Sequence, residues 1–231
     1  DYPVQGTRVP PRMPFLEPFA MPPPTPATPP PCEPIELGLT VDHLRAHIGF
    51  LQRCADQQTT RTVSMRTLVF YRDEWLPLLV AQQQQQQQPD HHPGHRQQVG
   101  PLVPPIDVAW VWHCHRLAPL KYAAYCRDTF GMVLDPHGVD PFATSNKLHD
   151  TDTTGTELSP SSFYVGDYDL AKATVRQSSF LESVSSPLFA SQQYLTHAVN
   201  KYHQFLFLIK CDRHNSSRRR KVPTIAIDLA W

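Results

Sequence analysis

This chain has little glycine, no excess of one charge and no long apolar run. Nine glycines among 231 residues leave no room for a glycine-rich segment. Lysine plus arginine equal aspartate plus glutamate at 21 each, so no global field draws the chain onto nucleic acid or a membrane surface. No apolar stretch approaches the ~18 residues of a membrane span. The first residue is Asp1, and no charged-then-apolar signal segment follows it. Five cysteines (Cys32, Cys54, Cys114, Cys126 and Cys211) make an odd number without a C-x-x-C pair. They read as free thiols in a reducing, cytoplasmic compartment, not as a disulfide framework. A G-x-S-x-G nucleophile motif is also missing.

What is present begins with proline. Thirteen of the 25 prolines fall in Asp1 to Pro34, a segment expected to be disordered and extended, with a ligand for proline-binding domains as its functional reading. The folded part is expected from Ile35 to Trp231 and to be mainly α-helical. Leu44, Ile48, Leu51 and Ala55 repeat at helical spacing behind Thr40, a suitable N-cap (helix A, to Asp56). Thr62 to Gln82 carries a stripe of Met65, Leu68, Val69, Arg72, Trp75, Leu76 and Leu79 (helix B), with Pro77 expected to kink or loosen it. Gln82 to Gly100 reads as a disordered low-complexity insertion, its His91, His92 and His95 solvated.

The chain is organised around Leu102 to Gly131, which holds two of the four tryptophans and the single His-x-His. Pro104 and Pro105 fix the start of a short helix C, and Asp107 suits the positive end of its dipole. Pro119 opens helix D, which runs to Phe130 with Tyr122, Ala123, Cys126 and Phe130 inward, and Gly131 stops it. Met132 to Gly166 has no hydrophobic period and is expected to be an exposed loop. Asp169 to Val184 (helix A′) and Ser191 to Cys211 (helix B′, capped by Ser191) precede a basic loop, Arg213 to Lys221, and a final VPTIAIDLAW.

The second half echoes the first. Phe50-Leu51 recurs as Phe180-Leu181, Tyr71 with Trp75-Leu76 as Tyr202 with Leu206-Phe207, and Val103-Pro104 to Trp112 as Val222-Pro223 to Trp231. The expected fold is therefore two degenerate helix-helix-helix units sharing an interface around Trp75, Trp110, Trp112, Phe180, Tyr202 and Phe205. The second unit stops one residue before the match to His113, and the expectation is a fragment of a longer chain.

These stretches carry a resemblance. VPPIDVAWVWHCHRLAPLKYAAYCRDTFGMVLD resembles the plant glycine-rich-domain-containing proteins, whose N-terminal domain of unknown function carries a Trp-His-Cys-His block, here Trp112 to His115. Tyr122, Cys126, Phe130 and Gly131 match the following helix, and YDLAKATVRQSSFLESVSSPLFASQQYLTHAVNKYHQFLFLIK and VPTIAIDLAW match later blocks in order. The resemblance covers Ile35 to Trp231. It implies a role in development and stress response, with possible RNA contact and no established catalytic activity.

Three readings of function follow. The first is a non-enzymatic regulatory or interaction protein with a protein partner. The second is a metal module, or metal-dependent enzyme, with zinc on His113, His115, Cys126 and Asp107, since imidazole and thiolate are natural zinc ligands. Helix geometry opposes its simplest form, because residues two apart point about 200° from each other. The third is RNA binding, or a nuclear signal, through Arg218, Arg219, Arg220 and Lys221, with no DNA-binding signature.

Overall fold

The computed structural model describes residues 38–57, 63–87, 102–134, 142, 144–145, 147–149, 160–212 and 221–231. The Pro-rich segment, His91, His92 and His95, and Arg218 to Arg220 lie outside the described residues.

The helices come in the expected order. They are α1 (Val41–Asp56), α2 (Met65–Phe70), α3 (Leu76–Gln87), α4 (Ile106–Arg116), α5 (Pro119–Phe130), α6 (Leu170–Ser183), α7 (Gln192–Asp212) and α8 (Ile225–Ala230). The protein is mainly α. The described residues contain one small sheet, a hairpin of β1 (Tyr164–Val165) and β2 (Tyr168–Asp169). No helix among them is long and apolar enough to cross a membrane.

Local chemistry sets the ends. Thr40 Oγ1 accepts from the His43 N–H at 3.2 Å while His43 Nδ1 accepts from the Thr40 N–H, so two donors with no partner inside α1 are satisfied reciprocally. Asp169 caps α6 through the Lys172 N–H, and Ser191 Oγ accepts from the Tyr194 N–H at the start of α7. Gly131 ends α5 at φ 74°, a left-handed conformation that favours glycine.

Helix B is loosened before Pro77, as expected. Between α2 and α3 the ladder widens into a π-helical turn, Tyr71–Trp75, and the Leu76 N–H donates to Tyr71 O, five residues back. Pro77 follows at once and has no N–H to offer, so the strain is taken up one turn before the proline. Of the expected stripe, Leu68, Trp75, Leu76 and Leu79 are buried, and so is Tyr71, whereas Met65 and Val69 are exposed. The glutamines also correct the expectation: Gln82 to Gln87 continue α3, since glutamine is a good helix former. The rest of the insertion lies outside the described residues.

The loop after α5 is less exposed than expected. Leu134 and Phe163 are buried. Ser145 N–H donates to Pro104 O at 2.9 Å and Ile106 N–H to Lys147 O at 3.2 Å, lacing the loop across the start of α4. The hairpin turns at Gly166 (φ 61°), where an added Cβ would also stand 3.4 Å from Tyr125 Cδ2. Its Gly-Asp dipeptide between Val165 and Tyr168 is a hairpin signal that a loop reading passes over.

Helix α4 is the centre. Every residue from Ile106 to His115 is buried. An 11-residue helix covered on all sides needs neighbours on all sides, and α1, α2, the π turn, α5 and α6 supply them. Trp75 packs edge-on against Trp112 at 5.8 Å, worth about 0.5–1.5 kcal/mol beyond its buried area. Of the expected interface, Trp75, Trp110, Trp112 and Phe205 are buried, and Phe180 and Tyr202 are half-buried against the core. Helix α8, the echo of α4, reaches the opposite unit: His47 Nδ1–H of α1 donates to Leu229 O at 3.0 Å.

Candidate functional site

The Trp-His-Cys-His block lies wholly in the second half of α4, so each successive side chain turns by about 100°. Three different environments result.

His113 points toward α1. Its ring lies 5.0 Å from that of His47, 5.4 Å from Phe50 and 5.8 Å from Trp110. His47 in turn stacks on Phe142 at 5.1 Å. Burial, the neighbouring imidazole and the Arg116 charge hold His113 well below the usual histidine range. Burial lowers His47 to about 4 despite its bond to Leu229 O. Both rings are therefore neutral at pH 7.

His115 points the other way, into a tyrosine cluster. Its Nδ1 is 2.8 Å from the Tyr71 hydroxyl. Tyr122 meets its ring edge-on at 5.0 Å, and Tyr168 stacks parallel at 5.8 Å. Burial lowers His115 to about 4 and raises Tyr71 well above the usual phenol range, so the phenol carries the proton and the imidazole stays neutral. Trp112 Nε1–H donates to the Tyr122 oxygen at 3.1 Å, and Tyr122 O–H donates to Leu134 O at 3.0 Å. Cys126 is buried beside Tyr122, and burial pushes its thiol up. Cys114 is buried toward Cys54 with its thiol pushed well up, so neither thiol in the block region is poised as a nucleophile.

Asp107 is engaged elsewhere. Its Oδ2 accepts from Thr67 Oγ1–H at 2.8 Å and its Oδ1 from the His149 N–H at 2.9 Å. It ties α2, the loop and the start of α4 together, where its charge also suits the helix dipole.

The four residues expected to hold zinc are thus divided. His115 and Cys126 share the tyrosine cluster, His113 faces away from them, and Asp107 sits at the far end of the helix. Among the described residues no three or more His, Cys, Asp or Glu side chains are grouped to hold a metal ion. The separation of His113 from His115 follows from their spacing on a regular helix. Of the basic run, Lys221 is described, and its Nζ pairs with the Asp212 carboxylate. Cys54, Cys114, Cys126 and Cys211 are buried.

Sequence reasoning missed His47 and Tyr71. His47 lies three residues after Leu44 on the apolar face of α1, a spacing that marks a core histidine once polar residues are included in the stripe. Tyr71 was visible as part of the internal echo, though not as a partner of His115.

A family model described as "Glycine-rich domain-containing protein-like" matches residues 121–231. Glycine-rich domain-containing protein 2 of Arabidopsis thaliana is 36% identical over 185 residues, covering 72% of this chain and 22% of that protein. Glycine-rich domain-containing protein 1 of the same plant is 35% identical over 182 residues, covering 70% of this chain and 21% of that protein. The chain thus spans about a fifth of the length of these curated relatives. No solved structure matches it. The stretch from α5 to α8, residues 121–231, thus belongs to the glycine-rich domain-containing protein-like family.

Proposed function

We propose that this domain is a non-enzymatic interaction module of a regulatory protein, and that its Trp-His-Cys-His block serves as a packing centre. The observation that carries the reading is the burial of the whole block, with its two neutral histidines turned to opposite sides of α4. A reactive centre needs groups that converge on one substrate atom. Here Trp112 spends its N–H on Tyr122, His115 meets Tyr71, and His113 packs among His47, Phe50 and Trp110. A role in development and stress response through a protein partner belongs to the same proposal, as the resemblance to the plant proteins implies.

Elemental analysis of the purified protein beside His113→Ala and His115→Ala, with urea unfolding of all three, tests it. The expected result is no stoichiometric metal in any of them. Both variants lose about 2–4 kcal/mol, the cost of a cavity plus a polar partner left unpaired. Near-stoichiometric zinc or iron that disappears in either variant would overturn the proposal in favour of the metal reading.

A further inference from the structure

On the His113 side of α4 the packing is incomplete. A cavity of about 520 Å³ lies between α1, the end of α4, α6, α7 and α8. An adjoining lobe of about 620 Å³ runs toward Leu39, Leu44 and Phe142 and shares His47, His113, Leu117 and Trp231 with it. Each is within the size range of small-molecule sites.

The first lobe is walled by Leu117, Phe180, Phe205, Ile209, Pro223 and Trp231. Among the described residues no lysine or arginine lines it. Its polar side chains are His47, His113, Gln177 and Asp228. Burial keeps both imidazoles neutral at pH 7, His47 lowered to about 4 and His113 well below its usual range.

His47 has one group left over by folding. The residue is 7% exposed, and its Nδ1 lies 3.0 Å from Leu229 O. A carbonyl oxygen can only accept, so Nδ1 carries the ring proton and Nε2 is a bare acceptor. Nε2 is buried, and no described group donates to it. Buried polar atoms are almost always paired. An unpaired acceptor on a ring that lines both lobes therefore points to a guest with a donor.

Charge decides what kind of donor. A carboxylate has no proton to give. An ammonium has one, but burial and the positive Arg116 guanidinium both oppose a cation at His47, as they oppose protonation of the ring itself. A neutral O–H meets neither penalty. Water offers one too, yet gains nothing from the apolar walls, whereas a hydroxyl on an apolar frame uses both.

We propose that this cavity binds a small neutral molecule with a hydroxyl group on an apolar frame, its O–H donating to His47 Nε2 and its frame packed on Leu117, Phe180, Phe205 and Trp231. The inference rests on α1 and the cavity, not on the packing-centre reading. Metal in the block would overturn that reading, and a ligand series tests this one separately.

The series is isothermal titration calorimetry with β-naphthol, its methyl ether, β-naphthoate and protonated β-naphthylmethylamine. One frame thus carries a neutral donor, no donor, an anion and a cation. β-Naphthol is expected to bind about tenfold more tightly than the ether, the ratio that one buried hydrogen bond supplies. Neither charged probe should bind more tightly than the ether. His47→Phe keeps a ring in place, removes Nε2 and is expected to bring β-naphthol down to the level of the ether. Nitrogen NMR of the wild-type histidine rings gives a second readout. Saturating β-naphthol should move the His47 Nε2 signal upfield, as accepting a hydrogen bond does, and the ether should not. No binding of β-naphthol, equal affinity for β-naphthol and ether, tighter binding of either charged probe than of β-naphthol, or a β-naphthol preference kept by folded His47→Phe would each overturn the proposal. Should His47→Phe not fold, an Nε2 signal unmoved by saturating β-naphthol would do so instead.

Discussion

His47 Nδ1–H donates to the Leu229 carbonyl oxygen at 3.0 Å, joining two residues 182 positions apart in the interior. This bond attaches α8 to α1 through a ring that burial keeps neutral. The consequence is a pH dependence. Burial lowers both His47 and His115 from 6.5 to about 4. A folded value below the unfolded one means that the unfolded chain takes up the proton first. The stability held by neutral histidine is therefore complete above about pH 6.5 and is lost as pH falls toward 4. Each ring accounts for about 3 kcal/mol over that interval, and His113 adds to it in the same direction. Urea unfolding measured from pH 7.5 down to pH 4.5 should show a steep fall below about pH 6.5. A flat profile would mean that these rings are solvated or already charged.

Asp107 gives a second test. Its two oxygens accept from Thr67 and from the His149 N–H, joining α2, the long loop and α4. Asp107→Ala leaves both donors without an acceptor and removes a favourable charge from the first turn of α4, for a loss of about 2–4 kcal/mol. Asp107→Asn keeps one acceptor and should lose about half as much. Thr67→Val removes a single hydroxyl and should cost about 1 kcal/mol. Thermal or urea unfolding ranks the three. A metal-ligand role would instead make the loss in Asp107→Ala depend on added zinc or chelator.

Much of this was legible in the sequence, for identifiable reasons. Helix ends were readable because they depend on neighbours in the chain: Thr40, Ser191 and Gly131 act where their chemistry predicts. The centrality of α4 was readable because two of the four tryptophans and the single His-x-His fall together there. Three features depended on partners far along the chain and were not readable. Pairing of Tyr71 with His115 bridges 44 residues. The π turn is a compromise between Pro77 and the need to present both Tyr71 and Trp75 to α4. The loop residues Ser145, Lys147 and His149 have no hydrophobic period because their backbone groups, not their side chains, make the contacts to α4.

The contact between Tyr71 and His115 provides the last prediction, because it separates a structural histidine from a reactive one. The Tyr71 hydroxyl lies 2.8 Å from His115 Nδ1, with both groups buried. Tyr71→Phe removes the hydroxyl and leaves Nδ1 buried without a partner, at about 1–3 kcal/mol. His115→Phe costs a similar amount by orphaning the hydroxyl in turn. The double variant replaces both polar groups by apolar ones and should lose clearly less than the two single losses combined. The coupling energy is then about 1–2 kcal/mol in a double-mutant cycle. Cys126 lies in the same cluster and should be indifferent to the exchange: Cys126→Ala should show the same small loss in either background. If the single losses simply add, the pair is not a bond that matters, and His115 must be held by its stacking on Tyr168 and Tyr122 alone.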